Sequence, residues 1–159
     1  MQPHEIKPDT RLCTILGYNA QTGYMRRYFN QIMKRNGMNA TAIALNISDE
    51  HFEVTMRSVG QSKVDKMMIE KEFSSKAVKY CDLLDACSQE SGYVDYIEVE
   101  KGKVKGFCLE NEARALFEKQ EFLDDQLLFV AKMMLLANRW YDVEIDIDSI
   151  PLLIGENNG

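Results

Sequence analysis

Residues 12–59 switch twice between strand-like and helix-like apolar patterns, and that alternation constrains the fold more than any other feature of the sequence. The run LCTILGY is short and apolar and ends at Gly17, so it reads as a buried strand. Met25, Tyr28, Phe29, Ile32 and Met33 then fall on one stripe of an amphipathic helix. Asn36-Gly37 closes it, with Gly37 where a left-handed residue commonly ends a helix. ATAIALNI reads as a second strand. Ser48 is the expected N-cap of a helix over Asp49 to Val59, with acidic residues in the first turn and Phe52, Met56 and Val59 on one face. Parallel neighbours need a long crossover, so strand–helix–strand–helix at this spacing predicts a parallel sheet with crossover helices.

The pattern then changes. A third strand falls near VDKMMI, and helices are expected over roughly 74–88. YVDYIEV and KVKGFCL are joined by Glu100-Lys101-Gly102-Lys103, a tight glycine-containing turn that reads as a hairpin. A short helix over Glu110 to Lys119 and a long one over Leu123 to Trp140 follow, before a tail, IDIDSIPLLIGENNG, that alternates and then loosens. The 159 residues are expected to form one domain over 11–145, between a polar tail (1–10) and a C-terminal tail (146–159).

Charge and cysteine usage exclude several classes of function. A net charge of −6 argues against nucleic acid, whose phosphates demand a basic surface. Arg26, Arg27, Lys34 and Arg35 form a local basic run that reads as a solvated helix face, with an anion patch as the alternative. The four cysteines are scattered and none forms a CxxC pair. Each sits beside apolar residues, so free buried thiols are expected rather than disulfides or zinc. MQPHEIKPDT lacks the apolar segment of a signal peptide. The apolar stretch from Leu127 to Ala137 contains Lys132 and falls far short of the ~20 residues that span a bilayer. These features predict a cytoplasmic protein without a membrane span.

Five local patterns, in order, resemble the substrate-binding domain of shikimate dehydrogenases. That family opens with a Gly-x-Pro strand end, a Ser-x-Ser-Pro turn, His-Asn in the first helix and Leu-Gly at its close. Gly17, Asn30 and Gly37 fall at the same intervals without a gap, followed by MNATAIALNIS. KMMIEKE, YVDYIEV and GKVKGFCLE are similar to Asn-Val-Thr-Ile-Pro-His-Lys, Ala-Val-Asn-Thr-Ile and Gly-Lys-x-x-Gly-Tyr-Asn-Thr-Asp, and LLFVAKMMLLANRWYD to the family's final helix. The resemblance covers about residues 10–145. It implies an α/β three-layer sandwich with a mainly parallel sheet and an antiparallel hairpin strand. It also implies that the family's cofactor domain is excised between Lys119 and Leu123.

The family's chemistry is not carried over. Dinucleotide binding needs a Gly-rich turn between strand and helix, and neither GxGxxG nor GxxxxGK[ST] occurs among the nine glycines, so no cofactor is expected. The serines that hold the substrate carboxylate in the family correspond to Gly23 and Met25. Its catalytic lysine corresponds to Glu72, although a one-residue slip would supply Lys71. Its Asn and Asp correspond to Asp95 and Glu110, and the Gln of its final helix to Lys132. With Gln21 and Thr22 beside Gly23, these positions make up the ligand-pocket candidates.

Glu72, Asp95 and Glu110 against Lys132 leave an excess of negative charge, which should reject a carboxylate and suit a cation or a neutral polyol. Two such charges ~6 Å apart repel by about 3 kcal/mol at an effective dielectric near 20. The three acids are also a candidate site for a hard metal. Lys132, the one charge in its apolar run, requires a partner: one of the acids, or an anionic group of a ligand. His4 and His51 are expected at the surface or in a cap.

Three readings of function remain open. The first is a non-catalytic module binding a small metabolite or nucleotide. The second is a structural or interaction protein whose cleft is filled by Met25, Met67 and Met68. The third is an enzyme using metal held by the carboxylates. The helix at 123–140 is apolar nearly all round, which predicts a homodimer through that surface; a tail folded over the helix is the alternative.

Overall fold

The computed structural model describes residues 6–117 and 124–158, with side chains to 155. The polar segment's first five residues, His4 among them, the end of the short helix expected to reach Lys119, and Leu123 with the proposed excision point lie outside the described residues.

The expected alternation forms. β1 (Arg11–Gly17) leads to α1 (Tyr24–Arg35), β2 (Ala40–Asn46), α2 (Asp49–Ser58) and β3 (Lys66–Ile69). Ser48 caps α2 as its spacing predicts, its Oγ accepting the His51 N–H at 3.3 Å. Gly37 takes φ 60° after α1. β5 (Tyr96–Glu100) and β6 (Lys103–Phe107) form the hairpin, with Lys101 and Gly102 both at positive φ in its turn.

One region departs from expectation. Where helices were expected over roughly 74–88 stand a one-turn α3 (Lys71–Ser74), a 3-10 turn over Val78–Tyr80, a two-residue β4 (Leu83–Leu84) and α4 (Ala86–Ser91). Pairing with β6 overrides helix propensity here. The Asp82 N–H donates to the Val104 carbonyl at 2.7 Å, and the Asp85 N–H to that of Gly106 at 3.1 Å. No local pattern encodes a two-residue edge strand whose partner lies 22 residues downstream, Leu83 pairing with Lys105.

The sheet order is β2-β1-β3-β5-β6-β4. Parallel pairings join β1 to β2 and β3, and β6 to β4, whereas β5 runs antiparallel to both neighbours. Successive side chains of a strand point to opposite faces, and this divides the core in two. Cys13, Ile15, Met68, Tyr96 and the alanines of β2 pack with α1 on one face. Leu16, Met67, Ile69 and Ile97 pack with α2 and Phe73 on the other. The three-layer α/β sandwich is as expected.

α5 (Glu110–Ala115) and α6 (Asp125–Tyr141) complete the first core. Asp124 caps α6, accepting from the Gln126 N–H at 2.7 Å. At the other end of α6, Arg139 grips Glu98 of β5 through two 2.8 Å hydrogen bonds, and Trp140 Nε1 donates to the same carboxylate at 2.8 Å.

The segment expected to be a loose tail instead forms a 3-10 turn (Ile147–Ser149) and α7 (Ile150–Asn158). Asp146 caps that turn, its Oδ1 accepting the Asp148 N–H at 3.2 Å. Ile150 and Leu153 are buried against α1 and α6. Most apolar residues of α6 from Leu128 to Tyr141 are buried within the one chain, Phe129 remaining partly exposed. The sequence reading that the tail folds over this helix describes the arrangement.

The cysteine expectation requires correction. Cys87 and Cys108 form a disulfide, with Cα atoms 5.7 Å apart, tying α4 to the end of β6. Their separation of 21 residues carries no local signal; the β4–β6 pairing that brings α4 back is what creates the proximity. Cys13 and Cys81 are free, and burial raises their pKa values to about 12 and about 11.

Candidate functional site

The parallel strands β1, β2 and β3 end on one side of the sheet, and so does β6. In open α/β sheets ligands bind outside the carboxyl ends of the strands. Gly17 ends β1, Asn46 ends β2 and Glu70 follows β3 directly. Asp95 joins this edge because β5 is reversed, its carbonyl accepting the Ile69 N–H at 2.8 Å. Glu110, three residues beyond β6, completes the row.

A cleft of about 660 Å³ opens at this edge, between the start of α1 and the start of α6. Glu70, Glu72, Asn19 and Gly23 form its floor and polar side. Tyr24, Met25 and Tyr28 come from α1, and Asp125, Gln126 and Phe129 from α6. The rings form a continuous wall, Tyr24 to Tyr28 at 6.1 Å and Tyr28 to Phe129 at 5.9 Å between centroids. Gln126 Nε2 donates to the Tyr28 hydroxyl at 3.0 Å, joining the two helices at the mouth.

Two glycines make room for Glu70. A Cβ at position 17 would lie 2.5 Å from Glu70 Cγ, and one at position 23 would lie 2.9 Å from Glu70 Oε1. Serine, which the family resemblance places at position 23, could not coexist with Glu70 in this position. Glu70 Oε1 is buried without a hydrogen-bond partner. Burial, reinforced by the nearby Glu72 charge, raises the Glu70 pKa to about 7. Glu72 Oε2 accepts the Tyr18 N–H at 2.8 Å.

The site residues anticipated from sequence divide into groups. Glu72 lines the cleft, whereas Lys71 is exposed at the start of α3, so Glu72 is the inward-facing member of that pair. Gln21 and Thr22 are exposed in a 3-10 turn, where the Gln21 N–H donates to Asn46 Oδ1 at 2.9 Å. Asp95, Glu110 and Lys132 come together as a second cluster. Lys132 Nζ lies 2.6 Å from Glu110 Oε2, and Arg114 lies 2.8 Å from Glu110 Oε1. Lys132 therefore has the acidic partner its position requires.

The electrostatics of this second cluster are divided. Burial raises the Asp95 pKa to about 6 against the opposing pull of Lys132. Burial also acts on Glu110, but Lys132 and Arg114 outweigh it and hold that carboxyl below its ordinary value. As a metal set, Glu72, Asp95 and Glu110 are not brought together. Among the described residues no three His, Cys, Asp or Glu side chains are grouped to hold a metal ion. Both oxygens of Glu110 face cations, and Glu72 Oε2 accepts the Tyr18 N–H.

Sequence reasoning missed Glu70, Tyr24, Tyr28, Phe129, Asp125 and Gln126. Glu70 stands at the proline of the family pattern, the one signal that could have marked it. The aromatic wall is spread over two helices with no shared motif, so only the packing reveals it.

The sheet and its flanking helices form an α/β architecture with a cleft at the strand ends, and known proteins share that fold. No family model matches the chain. Its sequence is 22% identical over 127 residues to the shikimate dehydrogenase (NADP(+)) of Methanococcus maripaludis, covering 79% of this chain and 46% of that protein. The Methanopyrus kandleri enzyme of the same name is 22% identical over 119 residues, covering 74% and 41%. The chain spans less than half the length of these relatives.

Among solved structures, the Aquifex aeolicus shikimate dehydrogenase superposes with a TM-score of 0.61 at 20% identity, over 72% of this chain and 43% of that one. Shikimate 5-dehydrogenase from Listeria monocytogenes, solved with shikimate and NAD, gives 0.62 at 16%, over 72% and 40%. The 5-ketofructose reductase of a Gluconobacter strain gives 0.62 at 8%, over 81% and 51%. The chain resembles shikimate dehydrogenases in sequence and has their fold over the part it spans. Among the described residues, no helix is long and apolar enough to cross a membrane.

Proposed function

We propose that this chain is a non-catalytic small-molecule-binding or regulatory module on a shikimate-dehydrogenase-like substrate domain, and is not itself a dehydrogenase. The observation that carries this reading is the cleft at the strand ends, open and lined by Glu70, Glu72 and an aromatic wall. A glutamate at the family's lysine position cannot donate a proton from an ammonium, and Glu70 in the space beside Gly23 repels a carboxylate. The filled-cleft alternative loses its support, because Met67 and Met68 are buried in the two cores and Met25 lines one wall of the opening.

The test is a thermal-shift screen of cationic, neutral and anionic metabolites, nucleotides and divalent metals, with a parallel assay for shikimate-dependent NADP+ reduction. Saturable stabilisation by a cationic or neutral compound is expected, with none from shikimate and no reduction. Stabilisation by shikimate, or turnover with it, would overturn the reading.

A further inference from the structure

The cleft is specific about charge. Three carboxylates line it, Glu70, Glu72 and Asp125, and among the described residues no basic side chain does. The basic residues on α1 that stand nearest in sequence do not line it and make other contacts. Arg26 donates to the Gln21 carbonyl at 2.9 Å, and the Arg27 guanidinium lies 5.5 Å from the centre of the Tyr24 ring. Glu70 carries the argument furthest. Its Oε1 is buried with no partner, although an unpaired buried oxygen is costly. The space it occupies exists only because residues 17 and 23 have no side chain.

Three kinds of ligand could answer an unpartnered acid. A hard divalent metal needs several oxygen ligands converging on one point, and among the described residues no three His, Cys, Asp or Glu side chains are grouped to hold one. A neutral polyol would supply hydrogen bonds but leave the mutual repulsion of Glu70 and Glu72 in place. An organic cation would relieve that repulsion, hydrogen-bond to Glu70 and lay its carbon body on rings whose faces attract positive charge.

Building on the reading of the cleft as a ligand site, we infer that its ligand carries an alkylammonium group on an apolar body, with the cation at Glu70 and Glu72 and the body against Tyr28 and Phe129. The volume of about 660 Å³ lies within the range of small-molecule sites.

Isothermal titration at pH 8 with three near-isosteric probes tests this: benzylamine, benzyl alcohol and benzoate. Benzylamine should bind about tenfold or more tightly than the alcohol, and benzoate most weakly. Glu70→Gln should weaken benzylamine about tenfold and leave benzyl alcohol unchanged. Glu72→Gln is the second variant and should also weaken benzylamine, and each variant is checked for a single cooperative melting transition no lower than that of the parent. Equal binding of amine and alcohol, or a preference for benzoate, overturns the cation and leaves the cleft as a ligand site. No heat with any probe also overturns the inference, while the broader reading stands or falls by the metabolite screen.

Discussion

Lys132 Nζ lies 2.6 Å from Glu110 Oε2, and this pair fastens α6 to the first turn of α5. Both side chains are largely withdrawn from solvent, at 17% and 21% relative exposure, so the pair is screened far less than a surface bridge. Lys132→Met should cost about 1–3 kcal/mol in urea unfolding, because it leaves Glu110 with Arg114 alone and removes the cation that favours ionised Asp95. The double variant Lys132→Met/Glu110→Gln should recover part of that loss, since Glu110 no longer carries a charge deprived of Lys132. An additive double-mutant cycle would show that the two residues are not coupled.

Stability should fall as the solution becomes more alkaline between about pH 4 and pH 7. Glu70 and Asp95 have folded-state pKa values of about 7 and about 6, above their ordinary values of 4.5 and 3.8. In that window the folded chain binds more protons than the unfolded one, so raising the pH favours unfolding; above about pH 7 the effect is complete. Glu98, held low chiefly by Arg139, and Glu110, held low by Lys132 and Arg114 against its burial, act in the opposite sense and withdraw stability below about pH 4. The melting temperature should therefore peak at about pH 4. The charge acting on Glu70 from its surroundings is Glu72, also acidic, so Glu70→Gln should raise the melting temperature at pH 8 and flatten the neutral limb. A profile unchanged by Glu70→Gln would refute the assignment.

What could be read from sequence follows physical range. β1, α1, β2 and α2 were legible because period and capping are local: the Met25–Met33 stripe and Ser48 need no partner to be recognised. The hairpin was legible from Gly102. β4 was not, because its two residues become a strand only against β6. The disulfide follows from that same pairing and was hidden for the same reason. In the site, Glu72, Asp95, Glu110 and Lys132 could be placed by pattern, but their division into two clusters could not. That division depends on where α6 lays Lys132 against α5. Glu70 was overlooked because its importance comes from an absence, the missing Cβ atoms of Gly17 and Gly23.

The Cys87–Cys108 bridge closes a loop of sequence separation 21, which in the chain-entropy account is worth about 3 kcal/mol. Cys87→Ser/Cys108→Ser should lower the unfolding free energy by roughly that amount, measured by urea titration of both proteins without reductant. Thiol titration supplies a count. The denatured, unreduced protein should show two reactive thiols, Cys13 and Cys81, and four after reduction. Four thiols without reductant would mean the bridge does not form.

Gly17 and Gly23 both border Glu70, yet alanine should have different consequences at each. At position 17 the new methyl would meet Glu70 Cγ at 2.5 Å and Cβ at 2.9 Å, atoms near the backbone that cannot swing clear without moving β3 or its exit. Gly17→Ala should therefore cost about 1–3 kcal/mol as an overpacking substitution and expel the Glu70 carboxylate from the cleft. At position 23 the nearest atom is Glu70 Oε1, the free end of the side chain, at 2.9 Å, and the backbone there is extended at φ −77°. Gly23→Ala should cost less than about 1 kcal/mol, with Glu70 rotating aside. Both variants should lose benzylamine binding while only the first loses appreciable stability. If Gly23→Ala retained full binding, Glu70 would not be the group that holds the cation.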